Sequence, residues 1–68
     1  MNTLDARGLS CPEPVIMIRK AMMSNAAAYE IVVDNPASRE NVTRYAEHQG
    51  YKVDCMEKDG EYTLSITK

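Results

Sequence analysis

The spacing of apolar positions changes period along the chain, and each change marks an element. Residues 2–6 alternate, with Leu4 and Ala6 on one side and Thr3 and Asp5 on the other, until Gly8 interrupts them. A short strand and a turn are expected there. From Pro12 the spacing becomes helical: Val15, Ile18 and Met22 recur at i, i+3 and i+7. Arg19 and Lys20 lie off that stripe, toward the end where cations favour the helix dipole, and the helix should stop near Ser24-Asn25. Tyr29 to Asp34 contains the β-branched run Ile31-Val32-Val33, with little alternation, which suits a central strand covered on at least one face. Either Asn35, with Pro36 as the first helical residue, or Ser38 can cap a second helix over about residues 37–49. Val42, Tyr45, Ala46 and Gln49 form its stripe, and Gly50 suits the position just past its end. Beyond it, Tyr51, Val53 and Cys55 alternate with Lys52, Asp54 and Met56; after Asp59-Gly60, Tyr62, Leu64 and Ile66 alternate with Thr63, Ser65 and Thr67. That is a β-hairpin with one wet face.

The order βαβαββ predicts an α+β fold, a two-layer α/β sandwich in which two helices cover one face of a mixed four-stranded sheet. Its 68 residues allow one domain, 1–68, with a core near the lower limit of unaided folding. A hydrophobic fraction of 44% is that of a globular chain. The net charge of −2 disfavours stable binding to naked nucleic acid, which is usually held by a basic surface. Only Cys11 and Cys55 are present, and the N-terminus shows no signal-peptide pattern, so a cytoplasmic protein with reduced thiols is expected. No apolar run nears the ~20 residues that span a bilayer, so neither membrane insertion nor a membrane partner is expected. Lys52, Asp54 and Lys58 on the hairpin edge argue against self-pairing and for a monomer.

Chemistry concentrates in Gly8-Leu9-Ser10-Cys11-Pro12-Glu13-Pro14, which places a thiol where a strand-to-helix turn meets the start of the first helix. The positive end of the helix dipole favours the thiolate, and the thiolate is the form that attacks sulfane sulfur or a disulfide. Pro12 and Pro14 would stiffen the first turn, where a missing N–H costs no helical hydrogen bond. They also limit the stabilisation, because Pro14 has no amide and Glu13 supplies the only nearby one. Glu13 opposes thiolate formation, while Arg7, Arg19 or Lys20 would offset it if the fold brings one close.

The competing readings are plainer. Most free cysteines are small buried hydrophobes, but two prolines bracketing a thiol are harder to explain as packing alone, because Ala or Ser would fill the same volume without reactivity. Cys55, in phase with Tyr51 and Val53, is expected in the core. Met17, Met22 and Met23 read mainly as core filling, with part of the group a soft contact surface. Cys11, Cys55 and His48 lack paired-ligand spacing, so no metal site is expected. A dithiol redox motif would need a cysteine where Pro14 stands.

The pattern Leu4-Asp5-x-x-Gly8-Leu9-x-Cys11-Pro12-x-Pro14 resembles that of the TusA/SirA-like sulfur-carrier family. Arg19-Lys20 and the stretch Asp34-Asn35-Pro36-Ala37-Ser38-Arg39-Glu40-Asn41-Val42 extend the resemblance to essentially the whole chain. That stretch is similar to the N-terminal domain of YedF-like proteins associated with selenium metabolism, which usually carry a further C-terminal domain absent here. The resemblance implies the same βαβαββ sandwich, Cys11 as the persulfide-carrying residue, Pro12 and Pro14 shaping its loop, and Asp5 and Gly8 building the turn. It also implies a cysteine desulfurase or another carrier as donor, and an acceptor in tRNA thiolation, molybdenum-cofactor or oxidative sulfur pathways.

The expected function is therefore a sulfur, or selenium, carrier that accepts the chalcogen on Cys11 and relays it to a partner, with no bound cofactor. His48, the single histidine, is predicted at the far end of the second helix, so no built-in base accompanies Cys11 as a cysteine hydrolase would require. The alternative is a non-catalytic regulatory or docking module, for which Cys11→Ser would leave partner binding intact. Direct nucleic-acid binding would need a local basic stripe from Arg7, Arg19 and Lys20.

Overall fold

The computed structural model describes residues 2–9, 13–24 and 26–68. The elements run β1 (Asn2–Asp5), α1 (Glu13–Met22), β2 (Ala28–Val33), α2 (Pro36–His48), β3 (Lys52–Lys58) and β4 (Glu61–Thr67). The sheet order is β1-β2-β4-β3. β1 and β2 are parallel neighbours joined through α1, while β4 is antiparallel to both β2 and β3. The connection through α2 thus skips one place, and β4 returns from the hairpin to fill it. This is the mixed sheet predicted from the order of elements.

β2 and β4 are central, and their alternation decides where the core lies. Tyr29, Ile31 and Val33 of β2 and Tyr62, Leu64 and Ile66 of β4 are buried on one side. Ile18 of α1 and Val42 and Ala46 of α2 close over them, all fully buried. Each large side chain so removed from water contributes about 1.5–3 kcal/mol before the entropy of ordering is subtracted. Val32, within the β-branched run, is only half-buried, so one face of β2 is covered and the other is not. No helix among the described residues is long and apolar enough to cross a membrane.

Local chemistry sets the helix ends. Asn35 has extended backbone (φ −150°, ψ 153°), and its side chain accepts a 2.8 Å hydrogen bond from the Ser38 amide, with Pro36 opening the helix. Of the two candidate caps, Asn35 is the one used. Ser38 instead occupies the buried stripe with Val42 and Ala46, whereas Gln49, expected on that stripe, is the exposed cap residue past the last full turn. α2 closes with Tyr51 N–H on the Ala46 carbonyl and Gly50 N–H on the Glu47 carbonyl, both at 3.0 Å, and Gly50 at φ +90°. This reciprocal pair satisfies two terminal carbonyls and sends the buried Tyr51 back against the core. α1 ends at Met22, slightly before the expected stop, because Met23 and Ser24 bond back only three residues, to Lys20 and Ala21. Asp59 and Gly60 take φ of 53° and 78°, the left-handed pair that a two-residue hairpin needs.

One expectation fails here. Cys55 is exposed, not core. Its register opposite Leu64 does direct it to the helix side of the sheet, as the alternation implied. But β3 is the edge strand, and the part of α2 that faces it carries Arg39, Glu40, Thr43, Arg44 and Glu47. With Cys55 these line an open groove of about 410 Å³, and among the described residues that line it none but Cys55 is apolar.

Because Asn35 supplies the side-chain acceptor at the start of α2, Asn35→Ala should cost about 1 kcal/mol. For a chain of 68 residues that corresponds to a fall in Tm of about 4–8 °C, measurable by thermal circular dichroism. An unchanged Tm would mean that Pro36 alone sets the helix start.

Candidate functional site

The parallel strands β1 and β2 end at the same edge of the sheet, and β4 begins there, with Val33 opposite Tyr62. The turn after β1 is built at this edge. Ala6 is fully buried and continues the ladder through a 2.8 Å bond from its amide to the Val32 carbonyl. The Leu9 amide bonds back to the Ala6 carbonyl at 3.3 Å, closing a turn in which Gly8 has φ +78°. Any residue with a Cβ would be strained at that φ, which is why glycine stands there.

Side chains reinforce the turn. Arg7 grips the Asp5 carboxylate with its fork, Nε to Oδ1 at 2.9 Å and Nη2 to Oδ2 at 2.8 Å, while its backbone amide bonds Oδ1 at 3.1 Å. Its remaining arm reaches Glu61 at the start of β4, Nη1 to Oε2 at 3.3 Å. The Gly8 amide donates to Oδ2 of Asp34 at 2.7 Å, from across the sheet edge. The hydrogen bonds from Arg7 hold the Asp5 carboxyl at about 2, below the ordinary 3.8. Its bonds to Asp5 and then Glu61 push the Arg7 guanidinium the other way, upward.

The structure thus brings Asp5, Arg7 and Gly8 together in one turn. The charge of Arg7 is shared between two carboxylates rather than left open. Cys11 and Pro12 lie outside the described residues. Glu13 is exposed and first in α1, followed by the buried Pro14. Leu9 before these residues and Val15 and Met17 after them pack against the core, so both flanks are anchored. Arg19 and Lys20 are exposed in the last part of α1. They stand about 9 Å or more along the axis from Glu13, at ~1.5 Å per residue. His48 ends α2 and lines a separate groove between the helices with Val15 and Tyr45.

Two residues at this edge escaped the reading of the sequence as site residues. Asp34 follows a β-branched strand and precedes a helix cap, where an aspartate reads simply as turn chemistry. Glu61 meets Arg7 across 54 positions of sequence, a pairing that no local pattern announces.

Comparison with known proteins decides the family. The family model described as Sulfurtransferase TusA matches residues 2–68. The chain belongs to the TusA family. A neighbour of known crystal structure, the SirA-like protein from Desulfitobacterium hafniense, is 38% identical, with a TM-score of 0.92. The match covers 98% of this chain and 96% of that one. The sandwich and the resemblance to the TusA/SirA-like family both stand on these findings. TusA-family proteins relay sulfur between donor and acceptor proteins, and membership suggests a sulfur-carrier role for this chain.

Asp5 has a depressed pKa in the fold, so its contribution is fully present above the ordinary 3.8 and is lost as pH falls toward about 2. A carboxyl-detected NMR titration should give Asp5 a midpoint near 2 that rises toward 3.8 in Arg7→Ala. Equal midpoints in the two proteins would show that the fork is not formed in solution. The exposure of Cys55 has its own check. In a Cys11→Ser chain it should react with a thiol-specific chromogenic reagent under native conditions. Reaction only after unfolding would restore it to the core.

Proposed function

We propose that this chain carries sulfur as a persulfide on Cys11. The observation that carries the reading is the family match over residues 2–68, which spans Cys11-Pro12-Glu13-Pro14. The anchored flanks support it: a turn pinned at Asp5, Arg7 and Gly8 on one side, and a buried Pro14 in the first turn of α1 on the other. Such flanks suit a thiol that must be offered to other proteins from a fixed base.

In the transfer, the Cys11 thiolate attacks the terminal sulfur of a donor persulfide. A new S–S bond forms on Cys11, the donor's own S–S bond breaks, and the donor leaves as a thiolate, with no net oxidation. The acceptor then takes the terminal sulfur, and Cys11 returns as thiolate. No cofactor enters either step. A cysteine desulfurase fits the donor role, because its product is a cysteine-bound persulfide; a second carrier would serve equally. Selenium would follow the same course, as the similarity of residues 34–42 to selenium-associated proteins suggests. The chemistry needs reduced thiols and therefore a reducing compartment such as the cytoplasm.

A docking module is the second reading, favoured by Met23 and Met56, which are 82% and 74% exposed. Cys11 separates the two. Intact mass after incubation with a cysteine desulfurase and cysteine should show one added sulfur in the wild type and in Cys55→Ser, and none in Cys11→Ser. A mass unchanged in every variant, with each donor tried, would leave the docking reading in place.

A further inference from the structure

The turn that leads to Cys11 is held from two directions, and the two holds differ in kind. Arg7 and Asp5 are two residues apart, and their fork is exposed, so it stiffens the turn locally without fixing where the turn sits. Asp34 belongs to a different part of the chain, 26 positions from Gly8. Its carboxylate takes the Gly8 amide at 2.7 Å, the short distance of a charge-assisted bond to a backbone donor.

Asp34 is itself firmly based. It follows Val33, fully buried and paired with Tyr62, and precedes Asn35, the cap that starts α2. Its side chain is exposed, as the Arg7–Asp5 fork is, so what distinguishes this bond is that it joins two distant parts of the chain. The hydrogen bond therefore ties the turn after β1 to the junction of β2 and α2. Cys11 is three steps along the chain from Gly8, so a displacement of the glycine is passed on along at most ~10 Å of chain. Pro14, buried in the first turn of α1, holds the far side.

We infer that Asp34 is a positioning residue for sulfur transfer at Cys11, acting through the Gly8 amide. This inference rests on the carrier reading of Cys11. Docked protein-to-protein transfer demands alignment of three sulfurs, and such reactions are sensitive to misplacement by an ångström. A small reagent that can approach from any direction has no such demand. The role belongs to the acceptor oxygen rather than the charge, which sets Asn apart from Ala at this position: Asn keeps a carbonyl acceptor of the same reach, and Ala keeps none.

The test uses the full chain with Cys55→Ser, so that Cys11 is the sole thiol, and compares Asp34→Ala and Asp34→Asn with the parent. Initial rates of sulfur loading from a cysteine desulfurase and cysteine are followed by intact mass. Alkylation of Cys11 by iodoacetamide is timed in parallel, and folding is checked by circular dichroism. Asp34→Ala should load about tenfold more slowly while its alkylation changes less than about threefold, and Asp34→Asn should load within about threefold of the parent. Should Asp34→Ala fail to fold, Asp34→Ser, whose hydroxyl is too short to span the gap, carries the same expectation. Loading at the parental rate in Asp34→Ala would overturn the inference. So would equal losses in the Asn and Ala variants, or a loss of alkylation that matches the loss of loading. A parent that takes no sulfur from any donor would instead remove the carrier reading, and the positioning role with it.

Discussion

A sheet with one covered face governs this structure. Two short helices cannot shield both sides of four strands; both pack on the same side, and the central strands spend every second residue on it. β2 and β4 obey strictly, with Tyr29, Ile31, Val33, Tyr62, Leu64 and Ile66 buried in phase. Placing both helices on one side also brings the turn after β1 and the start of α2 to a shared edge of the sheet. That is where Asp34 meets Gly8. The arrangement of the candidate site thus descends from the same shortage of covering surface that shapes the core.

Much of this was legible in the residues. Period and punctuation located every element, because Gly8, Asn35-Pro36, Gly50 and Asp59-Gly60 each impose a backbone constraint that few alternatives satisfy. Burial was less legible where it depends on what lies overhead. Cys55 keeps the phase of a core residue, yet its cover is decided by the side of α2 that passes it, and that side is charged. Alternation reports which way a side chain points; only the packed helices report whether anything meets it. Ser38 shows the converse, a polar residue drawn into the buried stripe because it falls one turn before Val42.

The site divides along the same line. Asp5 and Gly8 are readable because their duties are local: a carboxylate beside the fork that grips it, and a glycine in a left-handed turn. Asp34 and Glu61 act across 26 and 54 positions and become visible only when the strands are assembled. Arg7, considered as a cation for the thiolate, has two carboxylates to satisfy first.

The four-residue β1 lies at the margin of the sheet, hydrogen-bonded to β2 alone among the described strands. Free energies of local opening are lowest where ladder bonds are few, so the flank that feeds Cys11 comes from one of the least protected parts of the backbone. Beyond its short ladder, that flank is restrained by the Leu9 amide on the Ala6 carbonyl, by the packing of Leu9 against the core and by the side-chain oxygens of Asp5 and Asp34. Amide hydrogen exchange at residues 7–9 can therefore quicken while β2 and β4 keep their protection.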